Sequence, residues 1–175
     1  MQIKKKRILF GLLSFLIFFF SFVAHYTDAV DIGIKNAQPL ILLPLVTAFS
    51  MFSQAGTAAA VGLAVGIGMD SCAGNTICFN AVAIMLAAAL VSAAANNLFN
   101  RNLRSALLLS VLVSLSYYIL RWLIFYAFSL GSHDNLTYLL SYAFPSVLYT
   151  NVFIFPFYFI YRGFNRRLGF TAART

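Results

Sequence analysis

Laid out by hydropathy, the chain is a series of long apolar runs broken by short polar punctuation, and the runs lack the two-residue alternation of half-buried strands. Six runs are each near the roughly 20 residues that a helix needs to cross about 30 Å of hydrocarbon. They fall at about 8–25, 38–54, 55–70, 76–95, 105–130 and 136–161. The predicted fold is therefore all-α: a polytopic membrane bundle of six transmembrane helices forming one integral domain over residues 1–175. The faintest boundary separates the second and third runs, where Ser53, Gln54, Ala55 and Gly56 supply the only polar break. A turn fits there because Gly56 tolerates positive φ and the Ser53 and Gln54 side chains can satisfy re-entering backbone.

Composition agrees with lipid as the solvent: 62% of residues are hydrophobic and 9% charged, and mean hydropathy is +0.88. The start resembles a signal peptide, with Lys4, Lys5, Lys6 and Arg7 before an apolar stretch. That stretch exceeds a signal core of about 7–15 residues, and Val23-Ala24-His25-Tyr26 offers no small-x-small cleavage site, so it reads as a retained first helix.

Charge then sets the orientation. The acids Asp28, Asp31, Asp70 and Asp134 fall toward one side of the threading, and the basic clusters at Lys4–Arg7, Arg101 and Arg104, and Arg162, Arg166 and Arg167 fall on the other. Juxtamembrane Lys and Arg stay on the cytoplasmic face, which predicts a multi-pass membrane protein with both termini cytoplasmic. Fusing the second and third runs would put Arg101 and Arg104 outside, so the charges favour six crossings over five. A net charge of +8 would suggest nucleic acid in a soluble protein. Placed at the ends of apolar runs, it points to topology and anionic lipid head groups, with no nucleic-acid partner.

Polar residues within the runs are the candidates for function. The third run places Ala58, Gly62, Gly66 and Asp70 at four-residue intervals on one face, and the fourth carries Ala83, Ala87, Ala88, Ala89 and Ala93. This predicts a tight hairpin in which the small face serves either internal packing or docking of another protein. Asp70 lies about 22 Å from the inner boundary and Arg121 about 24 Å. Opposite charges at one depth should pair or share a wet cavity, because a lone charge in hydrocarbon costs roughly 2.5–3.5 kcal/mol on insertion scales. The alternative is an Asp70 that snorkels to the head groups while Arg121 is satisfied by tyrosines and carbonyls. Ser110, Ser114, Tyr117 and Tyr118 form a polar stripe that ends at Arg121, with Leu108, Leu112, Leu115, Ile119 and Leu123 at other angles, so the stripe should face protein or water. In the sixth run Pro145 and Pro156 are expected to kink the helix, with Asn151 among the partners of the freed carbonyls; the kinks either shape a polar groove or only adapt packing.

Enzymatic signatures are missing from the sequence. It has no nucleophile beside a histidine base, no paired carboxylates and no metal-ligand cluster, so neither catalysis nor a cofactor is expected. His25 and His133 read as interfacial. Cys72 and Cys78 read as small apolar side chains packed against neighbouring helices, with a disulfide as the alternative. The Asn135-Leu136-Thr137 sequon matters only in a host that glycosylates external loops.

The chain resembles the MreD family, the small integral membrane proteins of the bacterial rod-shape system. The resemblance rests on the six spans without a soluble domain, on Gly62, Gly66, Asp70 and Gly74 at four-residue spacing leading to Asn80 and Ala81, and on Pro145, Asn151, Pro156 and Tyr158 before a basic tail. Cys78 departs from it, standing where the family pattern has glycine. The resemblance implies a non-enzymatic scaffold of cell-wall elongation that binds an MreC-like protein, in an assembly with the MreB filament, RodA and a penicillin-binding transpeptidase. It also implies an architecture similar to the substrate-binding subunits of energy-coupling-factor vitamin transporters, which supply the alternative function. Those subunits dock through small residues on their first helix, whereas the first helix here is rich in phenylalanine, from Phe15 to Phe22.

Overall fold

The computed structural model describes residues 2–26, 40–73, 78–99, 101–124 and 144–168. Their helices are α1 (Gln2–Tyr26), α2 (Leu42–Phe52), α3 (Ala55–Ala73), α4 (Phe79–Asn97), α5 (Leu103–Trp122), α6 (Phe144–Val152) and α7 (Ile154–Leu168). Among the described residues, five stretches are long and apolar enough to cross a membrane: Leu9–Tyr26, Ala55–Cys72, Phe79–Asn97, Leu103–Trp122, and Phe144–Arg167, which combines α6 and α7. The protein is an all-helical membrane bundle.

The second run departs most from expectation. Read from sequence as a span over 38–54, it is described as an 11-residue helix, about 16 Å long, which is short of a hydrocarbon core. Its residues from Leu42 to Met51 are all buried, and it packs against every other described helix. A helix that is apolar all round belongs inside protein, and α2 is the core around which the others stand. The turn at Ser53 and Gln54 does separate it from α3: the Gln54 carbonyl accepts from Ala58 N–H at 2.8 Å and from the Thr57 hydroxyl at 2.8 Å, starting the new helix. The Ser92 hydroxyl donates to the Ser53 carbonyl at 2.7 Å and ties this turn to α4.

The surrounding helices turn their bulky apolar side chains outward. On α1, Leu12, Phe15, Phe19 and Phe20 are exposed, while Ser14 and Phe18 face inward. The same inversion marks α5: Ser110, Ser114, Tyr117 and Tyr118 are buried, and Leu108, Leu112, Leu115, Ile119 and Leu123 are exposed. Lipid is as apolar as leucine, so the polar stripe rather than the leucines seeks the interior.

The last run is broken. Between α6 and α7 the backbone is interrupted at Phe153, whose N–H turns back to the Thr150 carbonyl at 3.2 Å. Pro156 stands in the first turn of α7 and cannot donate to the Val152 carbonyl, so the break precedes it. Pro145 is the second described residue of α6, and residues 141–143, on which a kink there depends, lie outside the described residues.

Aromatic contacts define one end of the bundle. The rings of Phe10, Phe49 and Tyr161 cluster with centroids 5.7–6.2 Å apart, placing the start of α1, the end of α2 and the middle of α7 at one level. Arg101, Arg104, Arg162, Arg166 and Arg167 lie toward this end, at the start of α5 and along the last turns of α7. At the opposite end, the Phe22 ring of α1 lies against Gly68 of α3, where an added Cβ would come within 3.0 Å of it.

Cys72 and Cys78 are both free thiols and both exposed, so the packed reading of these residues does not hold. Cys78 precedes α4 with φ 57° and ψ 14°, a left-handed conformation. That is the physical reason for a glycine at this place, since an L side chain there costs about 1–2 kcal/mol. Cys78→Gly is expected to raise stability by about 0.5–1 kcal/mol, read as a higher thermal midpoint in detergent. A lower midpoint would show that the thiol contributes more than the strain costs.

Candidate functional site

The end of α3 and the start of α4, away from the basic end, are joined by an arrangement that begins with missing side chains. A Cβ placed on Gly62 would lie 2.8 Å from the Ile84 carbonyl oxygen and 2.9 Å from Ala88 Cβ. One placed on Gly66 would collide with Ala81 Cα and lie 2.5 Å from the Asn80 carbonyl oxygen. The two backbones therefore touch, as a small-xxx-small face allows. Ala58, on the same face, is fully buried. The space at Gly62 and Gly66 is occupied by α4, so these residues pack internally. Gly74 lies outside the described residues. The face of α4 that answers is Asn80, Ala81, Ile84 and Ala88, rather than the alanine series read from sequence, of which Ala88 alone is buried.

That approach sets Asp70 over the start of α4. Its Oδ1 accepts from Asn80 N–H at 3.2 Å and its Oδ2 from Ala81 N–H at 2.9 Å. The first N–H groups of a helix have no intrahelical acceptor, and Cys78, which precedes α4, makes no side-chain cap. Asp70 supplies that cap from the neighbouring helix, and its negative charge meets the positive end of the α4 dipole. Hydrogen bonds to a charged group contribute roughly 1.5–3 kcal/mol each, enough to hold a carboxylate at this depth.

Asn80 carries the connection onward. Its side chain is buried, and its Oδ1 accepts from the Tyr117 hydroxyl of α5 at 2.6 Å. Arg121, one turn further along α5, lies close enough to Tyr117 to interact with it electrostatically. Tyr26, at the end of α1, lies within electrostatic reach of Asp70 and Arg121. The structure thus gathers Asp70 and Arg121 into one cluster, with Asn80 and Tyr117 linking them. Four helices meet in it.

The sequence reading missed the roles of Asn80 and Tyr26. A buried asparagine one residue from the point where Gly66 touches α4 is the signal that could have found the first. Nothing in the order of residues places the end of α1 beside the end of α3.

A second set of polar contacts lies deeper along the α5 stripe. Asn151 donates from Nδ2 to the Ser114 hydroxyl at 2.9 Å and to the Val147 carbonyl at 2.7 Å, and Ser114 donates to the Ser110 carbonyl at 2.8 Å. Thr150 accepts from Leu40 N–H at 3.1 Å and so ties α6 to the approach to α2. Asn151 is therefore a bridge between α5 and α6 just ahead of the break at Phe153. Pro156, at the exposed surface of α7, does not line this contact. Chemically, both sets fix helices to one another through hydrogen bonds made in an apolar medium, where a polar group left without a partner costs several kcal/mol.

A protein-family model described as rod shape-determining protein MreD matches residues 5–168, nearly the whole chain. No curated protein and no solved structure matches.

Proposed function

The chain belongs to the MreD family of rod shape-determining membrane proteins, and from that membership we propose that it is a non-enzymatic scaffold of cell-wall elongation. In this reading it sits in the inner membrane with both termini cytoplasmic and binds an MreC-like protein. Through that protein it reaches the MreB filament, RodA and a penicillin-binding transpeptidase. The orientation follows the inward bias of Lys and Arg, with the five described arginines of the basic end facing the cytoplasm.

The observation that supports scaffolding over transport is the burial of α2 among the other helices. From Leu42 to Met51 every residue of α2 is buried among the other helices. A substrate-binding subunit needs a cavity inside its helices, whereas a scaffold works with its outer surface. The clamp of Asp70, Asn80, Tyr117 and Arg121 suits the same role, because it stiffens the outer ends of α3, α4 and α5 against which a partner would rest.

The test is affinity capture of the full chain from membranes in mild detergent, with mass spectrometry of co-purifying proteins and small molecules. Recovery of a single-span coiled-coil protein of the MreC kind is expected. Recovery of a stoichiometric vitamin without such a protein would overturn the scaffold reading in favour of the transporter subunit.

A further inference from the structure

Two buried polar atoms stand over where the last run breaks. Asn151 gives away both Nδ2 hydrogens, to the Ser114 hydroxyl at 2.9 Å and to the Val147 carbonyl at 2.7 Å, and a carbonyl can only accept, so the amide is fixed this way round. Its Oδ1 has no donor among the described residues. The hydroxyl of Ser110, one turn before Ser114 on the same face of α5, likewise has no partner there, although Ser114 donates to the Ser110 carbonyl at 2.8 Å. Ser110 is 1% exposed and Asn151 7%, so bulk solvent reaches neither.

The two atoms complement each other. An amide oxygen accepts and a hydroxyl can donate, yet Asn151 Oδ1 and Ser110 Oγ do not bond to one another. One water can accept from the Ser110 hydroxyl and donate to Asn151 Oδ1, which leaves its second hydrogen for a carbonyl. The break offers one, since Pro156 deprives the Val152 carbonyl, one residue beyond Asn151, of its intrahelical donor. Ordered waters are regular partners of backbone freed where a membrane helix is broken. A metal cation suits the place less well, because these oxygens are neutral and Asp70, the one carboxylate among the described residues, belongs to the other cluster.

We propose that Ser110 and Asn151 hold a buried water at the break between α6 and α7. The water ties α5 to the last turn of α6 and supplies, within lipid, hydrogen bonds that the break withholds.

Two measurements on the full chain in mild detergent test this. Synchrotron radiolysis makes hydroxyl radicals wherever water is held, and Val147, whose carbonyl accepts from Asn151, and Ile154, just past the break, are buried. Oxidation of one or both is expected in the wild type, falling about threefold or more in Ser110→Ala. No oxidation at either residue in the wild type, or an undiminished yield in the variant, would overturn the site. The thermal midpoint gives the second reading through its sign. A hydroxyl left unpaired in an apolar interior is a burden whose removal raises the midpoint, whereas Ser110→Ala is expected to lower it by about 2–4 °C if the hydroxyl holds water. A raised or unchanged midpoint would therefore refute the proposal. Exchanging sodium for choline in the buffer is expected to alter neither reading; a midpoint that follows sodium would mark a cation site and remove the water.

Discussion

Gly66→Ala is expected to lower the stability of the bundle by about 2–3 kcal/mol, and Gly66→Leu to leave little folded protein in the membrane. The added Cβ falls on Ala81 Cα, 2.5 Å from the Asn80 carbonyl oxygen and 2.7 Å from Ala81 nitrogen. All three are backbone atoms, so no side chain can swing aside and α4 must retreat as a rod. That retreat also draws the N–H groups of Asn80 and Ala81 away from Asp70, so the loss of packing and the loss of the cap come together. Gly56→Ala and Gly163→Ala serve as controls, because an added Cβ there meets nothing within 4 Å. They should be neutral or slightly stabilising through helix propensity. Thermal midpoints from fluorescence-detected size exclusion in mild detergent give the comparison. A Gly66→Ala protein that melts with the wild type would refute the close contact.

Asp70→Ala is expected to cost about 2–4 kcal/mol, since it strips two charge-assisted acceptors from the start of α4. Asp70→Asn, which keeps one acceptor oxygen, should cost about half as much. Arg121→Gln should be milder than either, because glutamine can still hydrogen-bond near Tyr117 and the cap on α4 is untouched. The informative variant exchanges the charges, Asp70→Arg with Arg121→Asp. If an ion pair were the whole role of these residues, exchange would restore stability in part. With Asp70 acting as a helix cap, exchange fails, since arginine has no acceptor to offer Asn80 and Ala81. The same denaturation measurement on the two single variants and the exchanged pair yields the coupling energy. Recovery of the exchanged protein to near wild type would remove the capping role.

Much of this architecture was legible in the order of residues. The long apolar runs named the solvent and the helices, and Gly62, Gly66 and Asp70 at four-residue spacing marked the face on which α3 meets a neighbour. Ser110, Ser114, Tyr117 and Tyr118 marked the inward side of α5, because a polar stripe in a membrane helix has nowhere else to go. Counting residues at a fixed rise also set Asp70 and Arg121 at similar heights along their helices.

What the residues by themselves determined is what the longer helices do against lipid: that they form and which of their sides avoid hydrocarbon. Only the tertiary structure decided which sides meet. It put the short α2 at the centre, chose Asn80, Ala81, Ile84 and Ala88 over the neighbouring alanines, and turned Asp70 into the cap of another helix. The physical reason is that lipid offers no hydrophobic contrast between one apolar face and the next, so partners are chosen by the fit of backbone to backbone and by unpaired N–H and hydroxyl groups. Those are properties of two surfaces at once, and neither helix carries them alone.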